Sequence, residues 1–129
     1  MGENMQQKRQ AILIVDDEAI VLHSAKRLLQ KKGFEVLTAS NGMYAMDILK
    51  RSADTIGAIL LDISMPEMDG EETLERIMEI DPGAKVILCS GYARTRETES
   101  LFKKGAVEHI QKPFEINELL TMLTDVLGK

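Results

Sequence analysis

Four short polar signatures in this 129-residue chain could do chemistry together; three follow apolar runs and the fourth follows a short, more polar strand-like stretch. Asp16, Asp17 and Glu18 follow residues 11–15, Asp62 follows 58–61, Ser90 and Gly91 follow 86–89, and Lys112 and Pro113 follow 108–111. Short apolar runs bounded by turn residues read as strands buried on both faces. In an open α/β sheet, ligands bind just outside the carboxyl ends of such strands. Carboxylates gathered at that edge repel one another unless a cation sits among them. Hard oxygen ligands suit Mg²⁺, with Mn²⁺ the alternative. Ser90 offers a hydroxyl, Gly91 an unobstructed approach and Lys112 an ammonium, which together suit an anion. The set fits phosphoryl transfer onto a carboxylate, with Asp62 attacking in line while metal and Lys112 neutralise the phosphoryl oxygens. Each signature also has a plainer reading. Asp62 and Ser90 are common turn residues, Asp17 or Glu18 could cap a helix, and a strand-end lysine is usually solvated. Four strand ends in register favour the chemical reading.

The elements that must position these residues alternate along the chain. Strands are expected at residues 11–15, 35–39, 58–61, 85–90 and 108–111, and helices at 19–32, 43–51, 71–80, 94–104 and 115–127. The first helix carries Val21, Leu22, Ala25, Leu28 and Leu29 at helical spacing, and Gly33 stops it. Asn41-Gly42 reads as a turn, and Asp81-Pro82-Gly83 ends the third helix. On the last helix, Ile116, Leu119, Leu120 and Leu123 form the apolar stripe. Met122 and Val126 lie beside it and read as a contact surface, for instance for a homodimer. Strand–helix alternation with short connections implies right-handed crossovers and a parallel sheet covered on both faces. One domain, residues 11–129, is expected behind a polar leader, residues 1–10.

Composition narrows the classes further. A hydrophobic content of 44% with 29% charged residues is that of a globular domain. With 4% aromatics, no tryptophan and a net charge of −5, neither a base-stacking platform nor a basic nucleic-acid footprint is present. No apolar stretch is long enough to span a bilayer, so no membrane partner is expected. The one cysteine, Cys89, sits in an apolar run, which suits a buried small hydrophobe in a reducing cytoplasm. No glycine-rich phosphate cradle of the dinucleotide or P-loop type occurs.

From Ile12 to Leu127 the chain resembles the receiver domain of two-component response regulators. The resemblance rests on Val15-Asp16-Asp17-Glu18, on the run from Leu61 through Asp62, Ile63, Ser64, Met65, Pro66, Glu67, Met68 and Asp69 to Gly70, on Ser90-Gly91-Tyr92, on Gly105-Ala106 and on Lys112-Pro113-Phe114. It implies a flavodoxin-like five-stranded sheet of order 2-1-3-4-5. It implies that Asp62 accepts a phosphoryl group from a sensor histidine kinase or a histidine phosphotransfer protein. Asp17, Asp62 and the backbone carbonyl of Ser64 would hold Mg²⁺, with Asp16 acting through water. Ser90 would hydrogen-bond the phosphoryl and Lys112 pair with it. Pro66 and Gly70 would shape the acceptor loop, the Lys112–Pro113 bond would be cis, and Ser64 and Tyr92 would tune phosphoaspartate lifetime. Partner binding would switch on the face formed by the fourth helix, fifth strand and fifth helix.

One position departs from the family pattern. His109 stands where an aromatic residue usually turns inward as the hydroxyl residue moves. Two readings are open: a half-exposed edge residue with no switching role, or a smaller, titratable switch. His23, mid-helix without an acidic partner in register, reads as a surface histidine. Two other function classes remain to be weighed. A haloacid-dehalogenase-type phosphatase also uses a strand-end Asp with Mg²⁺, but it needs a second Asp two residues on, where this chain has Ser64. A receiver-like interaction module would take no phosphoryl group, although every acceptor-site residue is present.

Overall fold

The computed structural model describes residues 9–65, 69–92 and 96–128. Pro66, residues 1–8 of the leader and the start expected for the fourth helix lie outside them. The elements alternate as β1 (Ala11–Val15), α1 (Ala19–Lys31), β2 (Val36–Ala39), α2 (Gly42–Ser52), β3 (Ile56–Asp62), α3 (Gly70–Ile80), β4 (Val86–Ser90), α4 (Arg96–Lys103), β5 (Ala106–Gln111) and α5 (Ile116–Leu127). The strands pair in parallel in the order β2-β1-β3-β4-β5. Every expected element is present, and only its ends move by a residue or two.

The unbroken apolar runs are explained by helices on both faces. β1 and β4 are buried along their whole length. Leu13, Val15, Ile59, Leu61, Val86 and Leu88 turn to one side, against Ala45 and Leu49 of α2, Leu74 and Ile77 of α3 and Leu101 of α4. Ile12, Ile14, Ala58, Leu60, Ile87 and Cys89 turn to the other, against Ala25 and Leu29 of α1 and Leu119 and Leu123 of α5. Each such fully buried leucine or isoleucine contributes about 1.5–3 kcal/mol of transfer free energy. That two-sided packing is what makes the upper sheet edge a rigid platform.

Helix ends are set locally. Gly33 takes φ +94°, closing α1 in a conformation that residues with a Cβ rarely adopt. Asn41 is a cap as well as a turn residue, because its Oδ1 accepts the Tyr44 amide at 2.9 Å. Asp69 caps α3 by accepting the amides of Glu71 at 3.0 Å and Glu72 at 3.3 Å. A Cβ on Gly70 would stand 3.1 Å from Ile63 Cγ2, so Ile63, just after β3, packs closely against the start of α3.

Two surface expectations are corrected. Val126 is 3% exposed and belongs to the α1–α5 core layer, and Met122 is half-buried against that layer. Val126 lies seven residues after Leu119 and therefore shares its inward face. The apolar contact surface expected on α5 is thus part of the core. Apolar side chains are exposed instead on α1, where Ile20 is 81% exposed and Leu28, expected inside, is 43% exposed, and on α2, where Met43 is 67% exposed. His23 is exposed, as expected.

Candidate functional site

The chain runs from β1 to β2 on one side and to β3 on the other, so the end of β1 lies beside the end of β3. Val15 pairs with Leu61, which places Asp16 and Asp62 side by side one step beyond. Both carboxylates are almost fully enclosed, at 2% and 3% exposure. One oxygen of each is fixed by a backbone amide two residues on. Asp16 Oδ1 accepts from Glu18 N at 2.9 Å, and Asp62 Oδ1 from Ser64 N at 2.8 Å. Neither Asp17 nor Glu18 caps α1 with its side chain. Glu18 occupies the cap position without a side-chain bond, and Asp16 takes the amide instead. The second oxygens, Oδ2 of both aspartates, hydrogen-bond the Lys112 ammonium, with Asp62 at 3.1 Å and Asp16 closer still. Glu18 Oε1 lies 4.0 Å from the same ammonium.

The electrostatics follow from crowding. Ligand oxygens of Asp16, Asp17, Glu18 and Asp62 lie within 4.8 Å of one another. Burial holds the Asp16 carboxyl above its ordinary range, despite the lowering by Lys112 and the Glu18 amide, and the Asp62 charge adds to the rise. Burial also works against the Lys112 ammonium, but its bonds to Asp16 and Asp62 and their charges together outweigh that, so the amine sits above its usual value. The two directions agree: Lys112 serves two anions, whereas Asp16 shares one cation. Four carboxylates facing one ammonium leave a local excess of negative charge. Oxygen donors with two members exposed to solvent fit a hard divalent cation such as Mg²⁺.

The remaining predicted residues close the rim. Lys112 N donates to Ser90 O at 2.6 Å, joining the ends of β5 and β4, and the Lys112–Pro113 bond is cis. Gly91 N donates to Ser64 Oγ at 3.4 Å across the mouth. No neighbour stands near a Cβ built on Gly91, so the approach is open as expected. Tyr92 is exposed at the edge. Ser90 is fully buried, and its hydroxyl contacts Tyr92 O and His109 Nε2, each at 2.8 Å, rather than a carboxylate. Cys89, one residue below, is buried, and burial pushes its thiol up to about 12.

Sequence reasoning missed two features. One is the direct Ser90–His109 bond, which joins residues 19 apart on neighbouring strands and leaves no local signal. The other is an apolar cleft of about 590 Å³ beside the acid cluster, whose walls include Ile20, Leu28, Phe114 and Ile116 and whose floor reaches Ser64 and Lys112. Ile20 in the first turn of α1, beside a charged site, was the available clue. A groove of about 690 Å³ between α2 and α3 touches the acid cluster only at Asp17, so this hollow, larger than the apolar cleft, is not where the carboxylates converge.

Comparison with known proteins gives concordant matches. The family model described as response regulator receiver domain matches residues 12–124. The chemotaxis protein CheY of Thermotoga maritima is 37% identical over 116 residues, covering 89% of this chain and 95% of that protein. Sporulation initiation phosphotransferase F of Bacillus subtilis is 34% identical over 108 residues, 84% of this chain and 86% of the relative. The CheX–CheY–BeF3–Mg²⁺ complex from Borrelia burgdorferi contains a chain that superposes with a TM-score of 0.85 at 32% identity, over 92% of this chain and 90% of that one.

Proposed function

The chain belongs to the response-regulator receiver family of two-component systems, and we propose that Asp62 is its phosphoacceptor. The observation that carries this reading is Lys112, poised at 3.1 Å from the outer oxygen of a carboxylate whose inner oxygen is already held by Ser64 N. Asp62 attacks with the outer oxygen, and the phosphorus of the incoming phosphohistidine passes to it as its bond to the imidazole nitrogen breaks. Lys112 stays within reach of the oxygens that carry the negative charge. Asp17, Asp62 and the Ser64 carbonyl would hold Mg²⁺ or Mn²⁺, with Asp16 acting through water. The ion would supply charge neutralisation and orientation at the transferring group. A relative of this fold is in complex with Mg²⁺ and BeF3, which supports the assignment.

Ser90 would then turn its hydroxyl to the phosphoryl group, and the change would reach partners through α4, β5 and α5. Ser64 and Tyr92, on opposite sides of the mouth, would set how readily water reaches the phosphoaspartate. The donor, a sensor histidine kinase or histidine phosphotransfer protein, must seat its histidine over this mouth. The cleft lined by Ile20, Leu28 and Phe114 is the apolar surface that adjoins it. Among the described residues no helix is long and apolar enough to cross a membrane. The family likeness supports the reading of a cytoplasmic signalling switch without small-molecule turnover.

The test is intact mass after incubation with Mg²⁺ and acetyl phosphate, beside Asp62→Asn. A gain of one phosphoryl group, abolished by EDTA and absent from the variant, is expected. Equal gains in wild type and variant would place the acceptor elsewhere.

A further inference from the structure

The groove between α2 and α3 opens on the opposite face of the sheet from the cleft beside Ile20, because α2 and α3 pack on one side of the strands and α1 and α5 on the other. One face of each helix lines it: from Met43 to Lys50 on α2 and from Glu72 to Ile80 on α3 the lining positions recur at helical spacing. The 11 residues of α3 rise about 16 Å, the length of about three turns of a docked helix. The apolar lining is rich in methionine, a side chain that adapts its shape to what it packs against. Met46 and Met65 are buried, while Met43 is 67% exposed.

The charged lining is unbalanced. Five carboxylates, those of Asp17, Asp47, Asp69, Glu72 and Glu79, face two cations, Lys50 and Arg76. Arg76 is already bonded to Glu72 at 3.1 Å along its own helix. We propose that this groove docks a basic amphipathic helix of a partner protein, with apolar side chains on the methionines and lysines or arginines on the acidic rims. A second copy of this chain is a poor occupant, because its own net charge of −5 would meet the same acids. A helix seated here reaches the acid cluster only at Asp17 and leaves the cleft beside Ile20 open. The inference does not depend on Asp62 being the phosphoacceptor.

The test titrates a helical peptide of leucine and lysine, about four turns long, into the full chain labelled with ¹³C at its methionine methyls. The Met43, Met46 and Met65 signals should shift together and saturate, while that of Met122 on α5 stays in place. Glu79→Lys and Met43→Lys, both at exposed positions, should each weaken binding about three- to tenfold at low salt and flatten its salt dependence. Glu35→Lys makes the same charge change outside the groove and should matter far less. A peptide of equal composition with its leucines scattered should leave the three signals unmoved. No saturable binding, equal binding by the scattered peptide, or indifference to both groove variants would overturn the proposal. Methionine shifts that followed protein concentration alone would make a second copy the occupant and overturn it as well.

Discussion

The two ends of this sheet treat buried charge in opposite ways. At the upper edge, Asp16 and Asp62 lie enclosed beside Asp17 and Glu18, with Lys112 bonded to both buried members. At the lower edge, Asp81 is also buried, yet its Oδ1 accepts the Gly83 amide at 3.1 Å and its Oδ2 faces Arg9 at 3.4 Å. Lys85 there donates to the Val126 carbonyl at 2.9 Å, satisfying an oxygen at the end of α5. The lower end pairs one carboxylate with its own partners, whereas the upper end concentrates several around one cation. Concentrated like charge opposes folding and invites a metal. Paired charge closes the lower edge of the sheet between its two helical layers.

The comparison breaks most visibly at Gly57. A Cβ there would meet Arg9 O at 2.1 Å and Leu127 Cδ2 at 2.5 Å, so backbone as well as side chain must move. Gly57→Ala should lower stability by about 3 kcal/mol, read as a shift in the urea midpoint at unchanged slope. An unshifted midpoint would mean that the lower closure is loose. Next comes Asp81→Ala, which strands the Gly83 amide and frees Arg9. A loss of about 2 kcal/mol is expected in the same measurement.

Both ends were partly legible in the sequence. The strand-end acids and the hydroxyl announce themselves because each ends an apolar run, the lysine because it follows the short fifth strand at residues 108–111, and the parallel sheet follows from alternation alone. What the sequence could not show is which of these groups bond. Lys112 meets Asp16 across 96 residues and His109 meets Ser90 across 19, distances set by strand order and register rather than local pattern. Val126 was misjudged for another reason. A stripe of Ile116, Leu119, Leu120 and Leu123 leaves Val126 beside it, whereas Leu119, Leu123 and Val126 are the positions that share the inward face.

At the upper end the sign of the effect should reverse. Burial raises the Asp16 carboxyl above its unfolded value, so its favourable contribution is complete only below that unfolded value, about 3.9, and is lost as pH rises through the raised one. At neutral pH the ionised form works against folding. In metal-free buffer with EDTA, Asp16→Asn should therefore gain about 1 kcal/mol at pH 7 and little or nothing at pH 4. Denaturant midpoints at the two pH values decide it. A variant less stable than wild type at pH 7 would show that Lys112 compensates Asp16 in full, and the contrast between the two ends would disappear.

The smallest effect expected is no reaction at all. Cys89 stands one residue beneath the charged rim, in register with Asp62, yet it is buried, with its thiol pushed up to about 12. At pH 8 only about one thiol in ten thousand would be thiolate, the form that alkylates. Native protein should resist iodoacetamide until it unfolds, so the labelling rate should track global unfolding across a urea series. Labelling that outruns unfolding would mean that the end of β4 opens locally. The upper edge would then be strained in its packing as well as in its charge, and the rigid platform beneath Asp62 would have to be given up.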